Sequence, residues 1–138
     1  MTSQEIVQSL NNIGNSSDFP QESGKLVSEW IRYPDRLVFM GVILRFMEDN
    51  PDLEYGTPGP VIHFMEEIDG PEYGRVLSQS IERKPIFQNV WMMNRLLNGM
   101  SSNERKGDYI TVLKRANDRL SVDDNLARQI TRFIRIHE

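Results

Sequence analysis

The sequence predicts an all-α domain of seven or eight short helices, and three observations carry that expectation. Apolar residues recur three and four positions apart along nearly the whole chain. Prolines and glycines cut the chain into helix-length pieces. No period-two strand pattern interrupts the series, and the one Asn-Gly pair, Asn98-Gly99, falls at the end of a helical stripe rather than between two strands.

Taken in order, Ile6, Val7, Leu10 and Ile13 make a first helical stripe, ended by the turn residues Gly14-Asn15-Ser16-Ser17-Asp18. Pro20 suits a first helical turn, because its missing N–H has no helical partner there, and Leu26, Val27, Trp30 and Ile31 form the next stripe. Tyr33-Pro34 breaks that helix and starts another. Residues 37–44 are apolar nearly all round, the pattern of a buried helix or a buried strand. Continuation through Arg45-Phe46-Met47-Glu48 is too long for a typical strand and favours the helix.

Residues 50–60, with Pro51, Gly56, Pro58, Gly59 and Pro60, read as the clearest loop. Helical spacing resumes at Val61, Ile62, Phe64, Met65 and Ile68, and again after Gly70-Pro71 at Tyr73, Val76, Leu77 and Ile81. Pro85 opens a helix expected to place Phe87, Val90, Trp91, Asn94 and Leu97 on one side and to stop at Gly99. Ser101-Ser102-Asn103-Glu104 reads as a capping box, and Ser121-Val122-Asp123-Asp124 as its acidic variant. The last two stripes are Tyr109, Ile110, Val112, Leu113 and Ala116, then Leu126, Ile130, Phe133 and Ile134. A faint echo, in which Val27-Ser28, Ile31 and Pro34 return as Leu77-Ser78, Ile81 and Pro85, leans toward antiparallel hairpins stacked as in HEAT or armadillo repeats; an irregular bundle is the alternative.

At 138 residues, 38% hydrophobic and 26% charged, the chain is expected to form one domain, residues 1–138, with a real core. Cysteine is absent, which excludes disulfides, thiolate metal sites and cysteine nucleophiles. A polar, acidic start, Met1-Thr2-Ser3-Gln4-Glu5, is unlike a secretory leader, and the longest apolar run is far too short to span a bilayer; a cytoplasmic protein without membrane association is expected.

Charge is divided by position. Residues 1–72 hold thirteen Asp/Glu against four Lys/Arg, a net of −9; residues 73–138 hold seven against twelve, a net of +5. Such asymmetry creates a field that selects partners and steers encounter. The acidic half concentrates carboxylates in two runs, Glu48, Asp49, Asp52 and Glu54, then Glu66, Glu67, Asp69 and Glu72, each at a helix exit. On a stacked-hairpin fold both runs would emerge on one edge and draw a basic protein. In the basic half, Arg128, Arg132 and Arg135 share one helix face, with Arg105, Lys106, Lys114, Arg115 and Arg119 on the preceding helix. That stripe would bind phosphates, or would simply be a solvated face favouring the C-terminal end of the helix dipole.

No catalytic motif competes with these charges. His63, Glu66 and Glu67 could face one way on a helix, but a metal centre needs three or four ligands and the zinc-helix pattern needs a histidine where Glu67 stands, so His63 is read as structural, and no metal or cofactor is expected. His137, next to last, is read as solvated. Gly24-Lys25 lacks both the leading glycine and the following hydroxyl of a phosphate-binding loop. No Gly-x-Ser-x-Gly elbow exists. No enzymatic activity and no small-molecule substrate are expected; His63 and Glu67 are the only residues that could carry any.

Two segments carry a resemblance. Gly56-Thr57-Pro58-Gly59-Pro60-Val61-Ile62-His63-Phe64-Met65-Glu66 is similar to a Gly-x-Pro-Gly-Pro-Leu-Val-His-Phe-x-Glu pattern, and Arg83-Lys84-Pro85 with Val90-Trp91-Met92-Met93-Asn94-Arg95-Leu96-Leu97-Asn98 is similar to one that accompanies it. Over about a third of its length the chain thus resembles short helical bacterial immunity proteins of polymorphic toxin and contact-dependent inhibition systems. The resemblance implies a non-enzymatic protein that occludes the active site of a cognate toxin, often a basic nuclease whose substrate phosphates an acidic surface would replace. Pro58 and Pro60 would set a turn, Trp91 would pack and Asn94 would bond a neighbouring loop. The expected interface is the acidic set Glu48, Asp49, Asp52, Glu54, Glu66, Glu67, Asp69 and Glu72. A nucleic-acid-binding or regulatory adaptor using Arg128, Arg132 and Arg135 is the alternative, and head-to-tail self-association of acidic half on basic half a third reading.

Overall fold

The computed structural model describes residues 1–14, 18–68, 70–100, 105–119 and 121–138. Asp69, the turn at 15–17 and the capping box expected at 101–104 lie outside the described residues. Among the described residues the chain is all-α, with eight helices and no strand. It divides into two compact units, Met1–Tyr73 and Gly74–Glu138.

The first unit holds α1 (Ser3–Gly14), α2 (Phe19–Trp30), α3 (Arg36–Asp49) and α4 (Pro60–Glu66). Helix α1 starts with a reciprocal cap that the sequence reading passed over. The Glu5 N–H donates to Thr2 Oγ1 at 3.1 Å and the Thr2 N–H donates to Glu5 Oε1 at 3.2 Å. That backbone bond, followed by the Thr2 hydroxyl, holds the Glu5 carboxyl below its ordinary value. Pro20 sits in the first turn of α2 and Pro60 in that of α4, as their fixed φ favours.

Within this unit α1 packs on α2 and α3, and α4 packs on the same two helices. The core is aromatic: Trp30, Phe39 and Phe64 meet pairwise with ring centroids 5.4–5.8 Å apart, and Phe19 stacks on Phe46 at 6.2 Å and meets Tyr55 edge-on at 5.2 Å. Helix α3 buries Phe39, Met40, Ile43, Leu44, Phe46 and Met47. Val38 is exposed, however, and Leu37 and Val42 are half-buried, so the helix is covered on one broad face and not all round.

Arg36, the first residue of α3, fastens α4. Its Nη1 donates to the Phe64 carbonyl at 3.2 Å and to Glu67 Oε2 at 2.7 Å, while its Cζ lies 4.7 Å from the Phe64 ring centroid. The C-terminal end of α4 is therefore held at the N-terminal end of α3. The loop between them is fixed at Tyr55, whose buried hydroxyl donates to the Asn50 carbonyl at 2.7 Å; burial raises its pKa. Gly56 takes a φ of 89°, and a Cβ on Gly59 would strike the Tyr55 carbonyl oxygen. The Thr57–Pro58 peptide is cis.

The boundary between the units falls in the first turn of α5 (Pro71–Arg83), and the second unit continues through α6 (Phe87–Asn98), α7 (Arg105–Ala116) and α8 (Asp124–His137). Helices α6, α7 and α8 pack on one another. Asn89, fully buried, closes the α5–α6 corner: its Oδ1 accepts from the Ile86 N–H at 2.9 Å and its Nδ2 donates to Ser80 Oγ and the Lys84 carbonyl. Arg119, just after α7, donates to the carbonyls of Glu82 and Arg83, tying the α7–α8 connection to the end of α5. The cap of α8 is Asp123, accepting from the Leu126 N–H at 2.8 Å, so the acidic capping signature begins two residues after Ser121.

Helix α6 departs from its expected orientation. Its buried residues are Asn89, Val90, Met92, Met93 and Leu97, whereas Phe87 is exposed and Trp91 and Asn94 only half-buried. The flexible methionines fill the core and the aromatics lie along its outer edge.

Removing the Arg36 side chain should cost the first unit about 2 kcal/mol, since it loses a charge-assisted bond to a backbone carbonyl and a cation–π contact. Glu67→Gln should cost under about 1 kcal/mol, because that ion-pair partner is solvent-exposed. Urea unfolding of Arg36→Ala and Glu67→Gln measures both, and equal losses would mean that the ion pair, not the carbonyl bond, does the fastening.

Candidate functional site

The described carboxylates of the two acidic runs leave opposite ends of α3. Arg36 and Asp49 bound α3, thirteen residues apart, which at 1.5 Å per residue is on the order of 20 Å. Glu66 and Glu67, at the end of α4, sit with Arg36; Glu48, Asp49, Asp52 and Glu54 leave the far end. The expectation of a shared rim came from stacking hairpins with parallel exits. The antiparallel fastening of α4 on α3 separates them instead.

The eight carboxylates also differ in availability. Glu48 is only 6% exposed and belongs to the packed side of α3. Glu67 is engaged by Arg36, and Glu66 is half-buried, with its Oε1 3.6 Å from His63 Nδ1. Glu72 is exposed in the first turn of α5, where a negative charge suits the helix dipole. Asp69 lies outside the described residues. Glu54 is exposed and accepts from the Gly56 N–H at 2.8 Å. Asp49 and Asp52 are exposed and make no ion pair among the described residues.

Asp49 occupies the last turn of α3, which holds no basic residue to offset the negative end of the helix dipole. A carboxylate there works against the local field by about 0.3–1 kcal/mol. With Asp52 and Glu54 just beyond, three exposed carboxylates gather at the C-terminal end of α3, and the exposed Arg45 stands one turn before Asp49.

In the second unit, Arg128, Arg132 and Arg135 all line the outward face of α8, together with Asp124, Ala127, Thr131 and Ile136. Arg128 donates to Asn125 Oδ1 at 2.9 Å; Arg132 and Arg135 have no side-chain partner among the described residues. On α7, Lys114 pairs with Glu138 at 2.6 Å and Arg115 with Glu82 at 3.4 Å. The unit boundary reproduces the charge boundary: the first unit carries −9 and the second +5.

His63 is exposed and Glu67 is turned to Arg36, so the one triad with helical ligand spacing is split. No group of three or more His, Asp or Glu among the described residues could hold a metal ion. No helix among them is long and apolar enough to cross a membrane.

His137 departs from the expected solvated state. Its Nε2 donates to Asn94 Oδ1 at 2.8 Å, joining α8 to α6 across 43 residues of sequence. Asn94 thus bonds a helix rather than a loop. Burial, and then the charge of Lys106, hold the imidazole below its ordinary pKa. A lowered folded-state value means the unfolded chain binds the proton more readily, so stability present above pH 6.5 is lost as the pH falls through that region. Urea midpoints measured from pH 7.5 to pH 5 should therefore fall more steeply for the wild-type chain than for His137→Gln; superimposable slopes would remove His137 from the pH response.

No family model, no curated protein and no solved structure matches the chain.

Proposed function

We propose that the protein is an immunity-type inhibitor that binds and neutralises a cognate basic toxin domain, a nuclease in the reading implied by the sequence resemblance, through the carboxylates at the C-terminal end of α3. The observation that carries this reading is the segregation of charge by structural unit, −9 against +5, with Asp49, Asp52 and Glu54 exposed at the negative end of the α3 dipole. A nuclease binds its substrate phosphates with an arrangement of cations. Closely spaced carboxylates on a rigid helix end offer those cations an alternative partner that is not cleaved, and steric cover of the cleft follows from the bulk of the folded unit. Long-range attraction speeds the encounter, and complementary packing at the contact sets the lifetime.

The triple reversal Asp49→Lys, Asp52→Lys, Glu54→Lys should weaken binding to the cognate toxin domain by about 10–1000-fold, mainly through slower association. Calorimetric titration gives the affinity, and circular dichroism confirms that the helices persist. Undiminished affinity in that variant, with loss on reversing Glu66, Glu67 and Glu72, would move the contact to the other end of α3.

A second reading, a nucleic-acid-binding or regulatory adaptor, is favoured by the outward α8 face, where Arg132 and Arg135 stand exposed beside Arg128. Three neutralised phosphates would give log Kd against log salt a slope of about 2–3, and the Arg128→Ala, Arg132→Ala, Arg135→Ala variant would abolish it. Absence of any mobility shift of RNA or DNA at low salt would end this reading.

A further inference from the structure

Helix α6 carries an outward ladder that neither the acidic interface nor the arginine stripe uses. Phe87 and Trp91 stack one turn apart, with ring centroids 6.4 Å apart and planes 11° from parallel, and Arg95 places its Cζ 5.2 Å from the Trp91 ring. Three planar groups at spacings of four are neighbours on one helix face. Each restrains the next, so the ladder loses little further side-chain freedom when it is covered. Phe87 is 44% exposed, the most open large apolar side chain of α6. Trp, Phe and Arg are also the side chains that most often anchor protein contacts.

The surroundings of the ladder fix the sign of what would cover it. Lys84 is exposed at the approach to α6, Arg95 lies at the other end, and the second unit as a whole is positive. The complementary surface must therefore be apolar at its centre and acidic at its edges. Phe87 stacks on Trp91 and the Arg95 guanidinium lies over the Trp91 ring, so part of that ring is already engaged, which suits branched and aromatic side chains better than a stack of nucleobases.

The chain itself carries a surface of that kind. Of the large apolar residues exposed on the first unit, Ile31, Tyr33 and Val38 fall within eight positions of one another at the α2–α3 corner, flanked by exposed Glu29 and Asp35. Neither carboxylate forms an ion pair among the described residues. Arg32 is the exposed cation there, and Arg36 is committed to α4.

We infer that a second copy of this chain docks its α2–α3 corner on the outward face of α6, with Ile31 and Tyr33 of one copy against Phe87 and Trp91 of the other, and Asp35 against Lys84. The pairing uses none of the carboxylates assigned to the toxin contact, so it stands or falls independently of that reading. A patch of this size anchors a contact below the standard interface area and gives association that depends on concentration and salt.

Sedimentation velocity on the full chain from about 5 µM to about 500 µM, at low and at physiological salt, tests it. The weight-average mass should rise with concentration, and the rise should be smaller at the higher salt. Phe87→Ser should lower the apparent association constant at least tenfold. Lys84→Asp and Asp35→Lys should each weaken association, and an equimolar mixture of the two should recover it, an outcome that damaged folding cannot produce. A monomeric mass at every concentration and both salts overturns the proposal, as does association indifferent to Phe87→Ser and to the charge exchange. Saturable quenching of Trp91 by a thymidine oligonucleotide, with the chain remaining monomeric, would assign the ladder to nucleobases and overturn it equally.

Discussion

Arg36 decides where the acidic surface can act. One guanidinium donates to the Phe64 carbonyl, covers the Phe64 ring and pairs with Glu67, so the end of α4 is held against the start of α3. Behind it, the Trp30, Phe39 and Phe64 rings close the core between α2, α3 and α4. The antiparallel course that follows sends one group of carboxylates out at each end of α3. It also removes Glu67 from the pool of free charge. Among the described carboxylates, Glu48, Asp49, Asp52 and Glu54 gather at the C-terminal end of α3, and Glu66 and Glu67 stand at its start.

The electrostatic division coincides with the structural one. All of the excess negative charge belongs to the unit ending at Tyr73 and all of the excess positive charge to the unit starting at Gly74. Charge arranged for stability alone would intersperse both signs and place cations at helix C-termini. Helix α8 follows that rule, with Arg135 and His137 in its last turn, whereas α3 ends on Asp49 with no base nearby in its final turn. Local rules broken without a structural gain are expected at positions kept for another purpose. Two buried polar side chains are well satisfied: Asn89 has its amide oxygen and nitrogen bonded, and Ser23 donates to the Pro20 carbonyl.

Much of the fold was legible from local chemistry. Pro20 in the first turn of α2, the helical course of α3 and the apolar stripe of α5 at Tyr73, Val76, Leu77 and Ile81 were readable, because backbone geometry fixes where proline fits and which residues share a face. Helix α6 was expected to place Phe87, Val90, Trp91, Asn94 and Leu97 on one side, but the flexible Met92 and Met93 turn inward with Val90 and Leu97 while Phe87 stays exposed. The cap formed by Thr2 and Glu5 was readable, as Thr-x-x-Glu before an apolar stripe is its signature. Glu48 could have been set apart from Asp49 by its register with Leu44 on α3. What was not legible joins distant positions: Arg36 to Glu67 across 31 residues and His137 to Asn94 across 43. No local pattern encodes such pairs, and they determine which charged groups remain available.

If the negative field of the first unit is what brings a basic partner in, the signature lies in the kinetics. Stopped-flow association of the chain with the proposed basic toxin domain, followed from about 10 mM to about 500 mM salt, is the most direct measurement. The association rate constant should fall about 10–100-fold across that range while the dissociation rate stays nearly constant. An association rate indifferent to salt, with affinity carried wholly by dissociation, would show that the segregated charge plays no part in recognition.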